Sequence, residues 1–274
     1  MKFPFYWIDA FADRPFAGNP AGIVPLTAWP DDALMQRLAF EHGLAETAFF
    51  VRTGEARFQL RWFTPAVEVD LCGHATLAAA QVIFHELGER GDVVAFDTHS
   101  GPLTVARRAD GKLELDFPAT PVAAETDAAV ARAVTAALGA TPEWLGRSRF
   151  DRFAVLPTAD AVRTLRPDLA QVAAAGGRGL IVTAPGDGTC DFVSRWFGPQ
   201  SGIPEDPATG SAQCALAPYW AGHLGLTALH GRQLSARGGD LWCTLVPSTG
   251  PRQAGDRVKI AGHAVLYLRG EIAV

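Results

Sequence analysis

A chain of 274 residues, 48% hydrophobic and 19% charged, is long enough for one large domain or two ordinary ones, and has the mix of a globular protein with a real core. A net charge of -5 leaves no basic footprint for nucleic acid, and no uncharged apolar run reaches the roughly 18 residues that a membrane span requires. Pro4 and Asp9 interrupt any signal-peptide core. The four cysteines (Cys72, Cys190, Cys214, Cys243) form no C-x-x-C pair and no zinc pattern with a histidine, so reduced thiols and a cytoplasmic setting are expected.

In chain order, residues 3–11 are rich in aromatics and predict an opening strand. Pro15-Phe-Ala-Gly18-Asn19-Pro20-Ala-Gly22 predicts a loop in which Gly or Asn takes positive φ, followed by a short strand over 23–26. Trp29-Pro30-Asp31-Asp32 starts a helix that Gly43 stops, with Leu34, Leu38 and Phe40 on its apolar side. Strands follow over 46–51 and 57–64. Residues 74–87 are small or apolar on every side, which predicts a buried helix wrapped by strands. Strands over 93–97, 103–108 and 112–117 complete a first half, the last two joined at Ala109-Asp110-Gly111.

Pro118-Ala-Thr-Pro121 reads as a linker. Beyond it, amphipathic helices over 128–138 and 169–175 flank strands over 153–156 and 180–183. A strand over 190–197 leads to a second buried helix over 209–222, which Pro218 is expected to kink. Strands over 232–237, 241–246, 257–260 and 265–272 finish the chain. Gly176-Gly177-Arg-Gly179 precedes a strand, the wrong order for a phosphate loop.

Two stretches repeat. Arg61-Trp-Phe-Thr-Pro65 and Arg195-Trp-Phe-Gly-Pro199 share Arg-Trp-Phe-x-Pro, then an acidic loop, then a glycine (Gly73, Gly210) opening a buried helix. From Pro65 to Gly73 is eight residues and from Pro199 to Gly210 eleven, a three-residue insertion. The duplication predicts two similar halves: 1–118 with Glu46 and His74, and 119–274 with Asp206 and Ser211, the last strand crossing back to the first half.

Free N–H groups at the two helix starts, Gly73 and Gly210, are suited to a carboxylate. Glu46, His74 and Asp206 are the candidates for proton work. Partial burial of Glu46 at the edge of an apolar run is expected to raise its pKa toward neutrality. A helix N-terminus is expected to push His74 down and keep its imidazole neutral. Each of the three also has a plain reading, as a strand-end acid, a capping histidine and a loop acid. A racemase would need a thiol on each side of the substrate, but Pro207 and Ala208 stand where the partner of Cys72 would fall, so Cys72 reads as a packed residue.

Asp9-Ala-Phe, Phe16-Ala-Gly-Asn-Pro20-Ala-Gly22, Glu46-Thr-Ala-Phe49, Leu71-Cys-Gly-His-Ala-Thr76 and Glu205-Asp-Pro-Ala-Thr-Gly-Ser-Ala212 together resemble the PhzF phenazine-biosynthesis family, from the first strand to the last. The resemblance implies an α+β, diaminopimelate epimerase-like fold: two pseudo-symmetric halves, each a β-barrel-like sheet around a central helix, with the active site between them. It implies a cofactor-independent isomerase, usually a homodimer; with no metal or cofactor motif in the sequence, a metal-free isomerase of a small cyclic or unsaturated carboxylate is expected. The family's best-understood member moves a proton across the ring of trans-2,3-dihydro-3-hydroxyanthranilate. Its glutamate, histidine, aspartate and hydroxyl residue fall on Glu46, His74, Asp206 and Ser211. Asn19, Gly73, Gly210 and Ser211 are the expected substrate-binding residues. A racemase or epimerase, or a binding protein without turnover, stay open as alternatives.

Overall fold

Short apolar runs broken by glycine and proline, with few long amphipathic helices, give a sheet-dominated fold. The computed structural model describes residues 1–247 and 256–274. The chain divides into two units, Met1–Asp116 with Ala261–Val274, and Phe117–Ile260.

The first unit runs β1 (Lys2–Ala10), β2 (Asn19–Leu26), α1 (Asp32–His42), β3 (Glu46–Gly54), β4 (Arg57–Phe63), β5 (Glu68–Val69), α2 (Gly73–Gln81), β6 (Val93–Thr98), β7 (Gly101–Arg107) and β8 (Leu113–Pro118). β1 pairs antiparallel with β2 and with the C-terminal strand Ala264–Ala273. β2 is parallel to β3, β3 antiparallel to β4, and β4 parallel to β6. β6–β7 and β7–β8 are antiparallel. The sheet curls around α2, whose residues Gly73 through Ala80 are all buried. α2 passes into a π-helical turn, Val82–Glu86. On the sheet's other face α1 packs Met35, Leu38 and Ala39 against Val24, Phe49 and Phe63. Coverage on both faces explains why β3 begins with five buried residues in succession. Asp31 caps α1 through a bond from the Ala33 N–H, and Gly43 ends it in the left-handed region, as their residue types predict. Phe40 departs from the reading: it is 69% exposed, because the buried stripe passes through Met35 and Ala39 instead.

The second unit runs β9 (Ala123–Ala124), α3 (Ala128–Leu138), β10 (Trp144–Arg147), β11 (Arg152–Val155), α4 (Ala159–Thr164), α5 (Leu169–Ala174), β12 (Leu180–Pro185), β13 (Phe192–Gly198), β14 (Ile203–Asp206), α6 (Gln213–Leu224), β15 (Ala228–Gln233), β16 (Gly239–Val246) and β17 (Arg257–Gly262). β10–β11 is antiparallel, β11–β12 parallel, β12–β13 antiparallel, β13–β15 parallel and β15–β16 antiparallel. This is the sequence of pairings that β1, β2, β3, β4, β6 and β7 make. The short strand after each Arg-Trp-Phe, β5 or β14, folds back on the strand that carries it. The two halves therefore share one topology. α6 is buried by the sheet of its own unit: Trp220 stacks on Phe192 and donates to Thr183 Oγ1, and Tyr219 packs on Phe153. α3, α4 and α5 cover the outer face through Val134, Leu138, Val162 and Val172.

Three readings are corrected. β10 and α4 were not expected, since four residues and six residues are too short for a periodic signal. The strand expected over 232–237 is β15, Ala228–Gln233: Ser235 Oγ accepts from the Gly238 N–H and turns the chain there. The second buried helix opens with a 3-10 turn, Gly210–Ala212, and α6 then runs through Pro218 to Leu224. Proline lacks the N–H that would bond the carbonyl four residues back, and that carbonyl, on Cys214, accepts from the Thr120 N–H at 2.8 Å.

Candidate functional site

Residues from three elements of the first unit meet at one place. Glu46 is the first residue of β3, just after the left-handed end of α1, and only 8% exposed. His74 is the second residue of α2 and 6% exposed, held where the all-apolar helix must be buried. Asn19 opens β2 and is fully buried. Positive φ in its loop falls on Phe16 and Gly18, and Gly18 is needed there, because a Cβ would stand 2.1 Å from the Ala10 carbonyl oxygen. The buried Asp9 carboxylate accepts from the Phe16 N–H at 2.9 Å and fixes the loop that delivers Asn19.

His74 is the hub. Its Nε2 lies 3.2 Å from Glu46 Oε2, ion-pair distance, yet the two atoms are not aligned as a hydrogen bond, and neither has another partner among the described residues. Its Nδ1 faces Asn19 Nδ2 at 3.2 Å and Cys72 Sγ at 3.5 Å. Burial by itself would push the imidazole down, but the neighbouring Cys72 and Glu46 outweigh it, and His74 stands well above its ordinary value. The Cys72 thiol is pushed up by burial and by the Glu46 charge, so it is neutral at neutral pH and Glu46 is the partner that acts on the histidine. The expectation of a depressed His74 is overturned: a buried carboxylate 3.2 Å away is stronger than a helix terminus.

Cys72 is the N-cap of α2 in extended conformation, and among the described residues no side chain caps that end. Its carbonyl accepts from the Thr76 hydroxyl at 2.6 Å. One ligand atom from each of Glu46, Cys72 and His74 lies within 4.8 Å of the others, a donor set able to hold a metal ion. Linear spacing had pointed away from metal chemistry; the fold supplies Glu46 from 26 residues before Cys72.

In the second unit Asp206 ends β14, opposite Trp196, and is 6% exposed. Its Oδ2 accepts from the Thr209 hydroxyl at 2.5 Å. The buried Gln233 of β15 ties the loop: its Nε2 donates to the Asp206 carbonyl at 2.6 Å and to Thr209 Oγ1 at 3.1 Å, and its Oε1 accepts from the Thr209 N–H at 2.8 Å. Gly210 is buried and Ser211 half-buried, both in the 3-10 turn that precedes α6. Thr209 and Gln233 escaped the sequence reading. Thr209 sits inside the repeat and could have been found there, whereas nothing marks Gln233 before β15 is paired.

The sequence matches the family profile described as phenazine biosynthesis-like protein over residues 8–270. An uncharacterized isomerase of Pseudomonas aeruginosa is 50% identical over 272 residues, covering 99% of each chain. A human phenazine biosynthesis-like domain-containing protein is 37% identical over 296 residues, again covering 99% of each. A PhzF-family crystal structure from Enterococcus faecalis superposes with a TM-score of 0.91 at 41% identity, covering 100% of both chains. A hydroxyproline epimerase from Agrobacterium vitis, 9% identical with a TM-score of 0.62, shares the fold over 100% of this chain and 93% of its own. Whole-length agreement in sequence and structure makes this chain a member of the PhzF phenazine biosynthesis-like family.

Proposed function

We propose that the chain is a cofactor-independent isomerase that moves a proton on a small cyclic or unsaturated carboxylate. The observation that carries this reading is the buried pair Glu46 Oε2 and His74 Nε2, 3.2 Å apart and with no hydrogen bond among the described residues. A carboxylate held dry beside an imidazole is suited to take a proton from carbon and return it to another, with the double bond shifting between the two. The formula is unchanged, so no redox partner is called for. His74, carrying positive charge, offsets the charge on Glu46 and orients it, and Asn19 holds the ring from its other nitrogen. The uncapped start of α2 at Gly73 is a seat for the substrate carboxylate. Asp206 and Ser211 join the reading through their family positions, supported by the bonds that hold Asp206 with one oxygen on Thr209.

The test is turnover of trans-2,3-dihydro-3-hydroxyanthranilate and related unsaturated carboxylates in deuterated water. Glu46→Gln keeps size and polarity but cannot relay a proton, and a loss of roughly 10²–10⁴ in rate is expected, with substrate affinity retained. Near wild-type turnover would remove Glu46 as the base. Deuterium at a shifted position supports the isomerase; inversion at one stereocentre supports an epimerase.

A further inference from the structure

The acid–base reading leaves a thiol without work in the same cluster. Thiol, imidazole and carboxylate are the three ligand types of zinc, and three protein ligands with a fourth position open is the arrangement of reactive zinc sites. Two ligands about 2.0–2.1 Å from a tetrahedral ion stand about 3.3 Å apart. Glu46 Oε2 and His74 Nε2 stand 3.2 Å apart, and they are the two atoms here with no hydrogen bond to break. Cys72 Sγ comes from the helix start, 3.5 Å from the other nitrogen of the same ring, and one ligand atom of each of the three residues lies within 4.8 Å of the others.

The remaining ring nitrogen is already provided for. Zinc-bound histidines normally donate their other N–H to an outer acceptor, and Nδ1 faces the side-chain amide of Asn19, which can present its oxygen by turning over. Charge also closes: one carboxylate, one thiolate and a neutral imidazole balance a divalent cation, as a buried site demands. Magnesium and calcium do not fit, because both require mostly oxygen ligands.

We propose that Glu46, Cys72 and His74 form a binding site for one Zn²⁺ ion, and that the bound ion holds the protein inactive. Zn²⁺ takes the place of the Cys72 thiol proton and of the His74 Nε2 proton, both of which leave to solvent, and occupies the Glu46 oxygen that would receive the substrate proton. The site itself stands on geometry alone; the inhibition rests on Glu46 being the base.

The two are separated by experiment on the full chain. Chelator-treated protein is titrated with Zn²⁺ against a chromophoric competitor and, separately, with Co²⁺. One ion per chain is expected, with a thiolate-to-cobalt charge-transfer band. Cys72→Ala, with Cys72→Ser as the second variant, should abolish the band and weaken Zn²⁺ at least about tenfold. Excess Mg²⁺ should not compete. No stoichiometric Zn²⁺ at micromolar concentration, or equal affinity in both variants, overturns the site. A thiolate band with turnover unchanged by Zn²⁺ keeps the site and overturns the inhibition. Failure of the isomerase reading would instead show as absent turnover in metal-free protein whose Zn²⁺ binding is normal.

Discussion

Arg195 grips Glu205 with two parallel hydrogen bonds, Nε to Oε1 at 2.7 Å and Nη2 to Oε2 at 2.9 Å. In the other unit Arg61 grips Glu68 in the same way, both at 2.7 Å. The partners lie ten residues apart in one case and seven in the other, the three-residue difference being the insertion that separates the two copies of the motif. The arginine of each Arg-Trp-Phe thus serves to fasten the short strand that leads into the buried helix. Beyond the clamp, Arg195 Nη1 donates to the Val162 and Leu165 carbonyls, whereas Arg61 Nη1 reaches the exposed Asp32.

These differences order the stabilities. Arg195→Ala strands a carboxylate and two carbonyl groups in a largely buried setting and should cost about 3 kcal/mol. Arg61→Ala loses a more exposed clamp and should cost about 1–2 kcal/mol. Urea unfolding of the two variants checks the order; a larger loss for Arg61→Ala would contradict it.

Thr209 should act through Asp206. Thr209→Val keeps the shape but removes the hydroxyl that donates to Asp206 Oδ2. A loss of about 1–3 kcal/mol in stability is expected, with a fall in turnover that Thr209→Ser restores. Unchanged turnover in Thr209→Val would detach Asp206 from the chemistry.

His42 gives a pH dependence of known sign. It stands at the end of α1 beside the Phe5 ring, with Nδ1 3.0 Å from Thr47 Oγ1 and a buried Nε2 that has no hydrogen-bond partner among the described residues. Burial pushes it below its ordinary 6.5, and the charge of Glu41 only partly opposes that. A folded-state value below the unfolded one means that the unfolded chain takes up the proton first. The contribution is therefore full above pH 6.5 and lost as pH falls below it. His42→Gln should flatten the decline of melting temperature below pH 6.5; an unaltered slope would exclude His42 as its source.

Thiol reactivity should single out Cys190. It is half-buried, and burial raises its thiol too, while Cys72, Cys214 and Cys243 are buried; burial pushes Cys214 up to about 12 and Cys243 higher still. A disulfide reagent at neutral pH should label one thiol quickly in the native protein and all four after denaturation. Rapid native labelling of Cys214 or Cys243 would contradict the packing of α6.

Local chemistry fixed what could be read along the chain. Short apolar runs, the Asp31 cap, the Gly43 stop and the all-apolar stretch behind His74 depend on neighbours a few residues away, so strands, α1 and the buried helix were legible before any contact was known. The repeated Arg-Trp-Phe carried the duplication for the same reason. Tertiary structure decided what depends on distance in space. It set Glu46 and Asn19 on opposite edges of the His74 ring, which reversed the sign of that histidine's shift, since a charge 3.2 Å away in a buried place outweighs a helix terminus. It brought Cys72 into one donor set with a carboxylate far off in sequence, and it recruited Gln233 from β15 to hold the Asp206 loop. No periodicity records such meetings, because each is made by strand pairing between segments that share no local pattern.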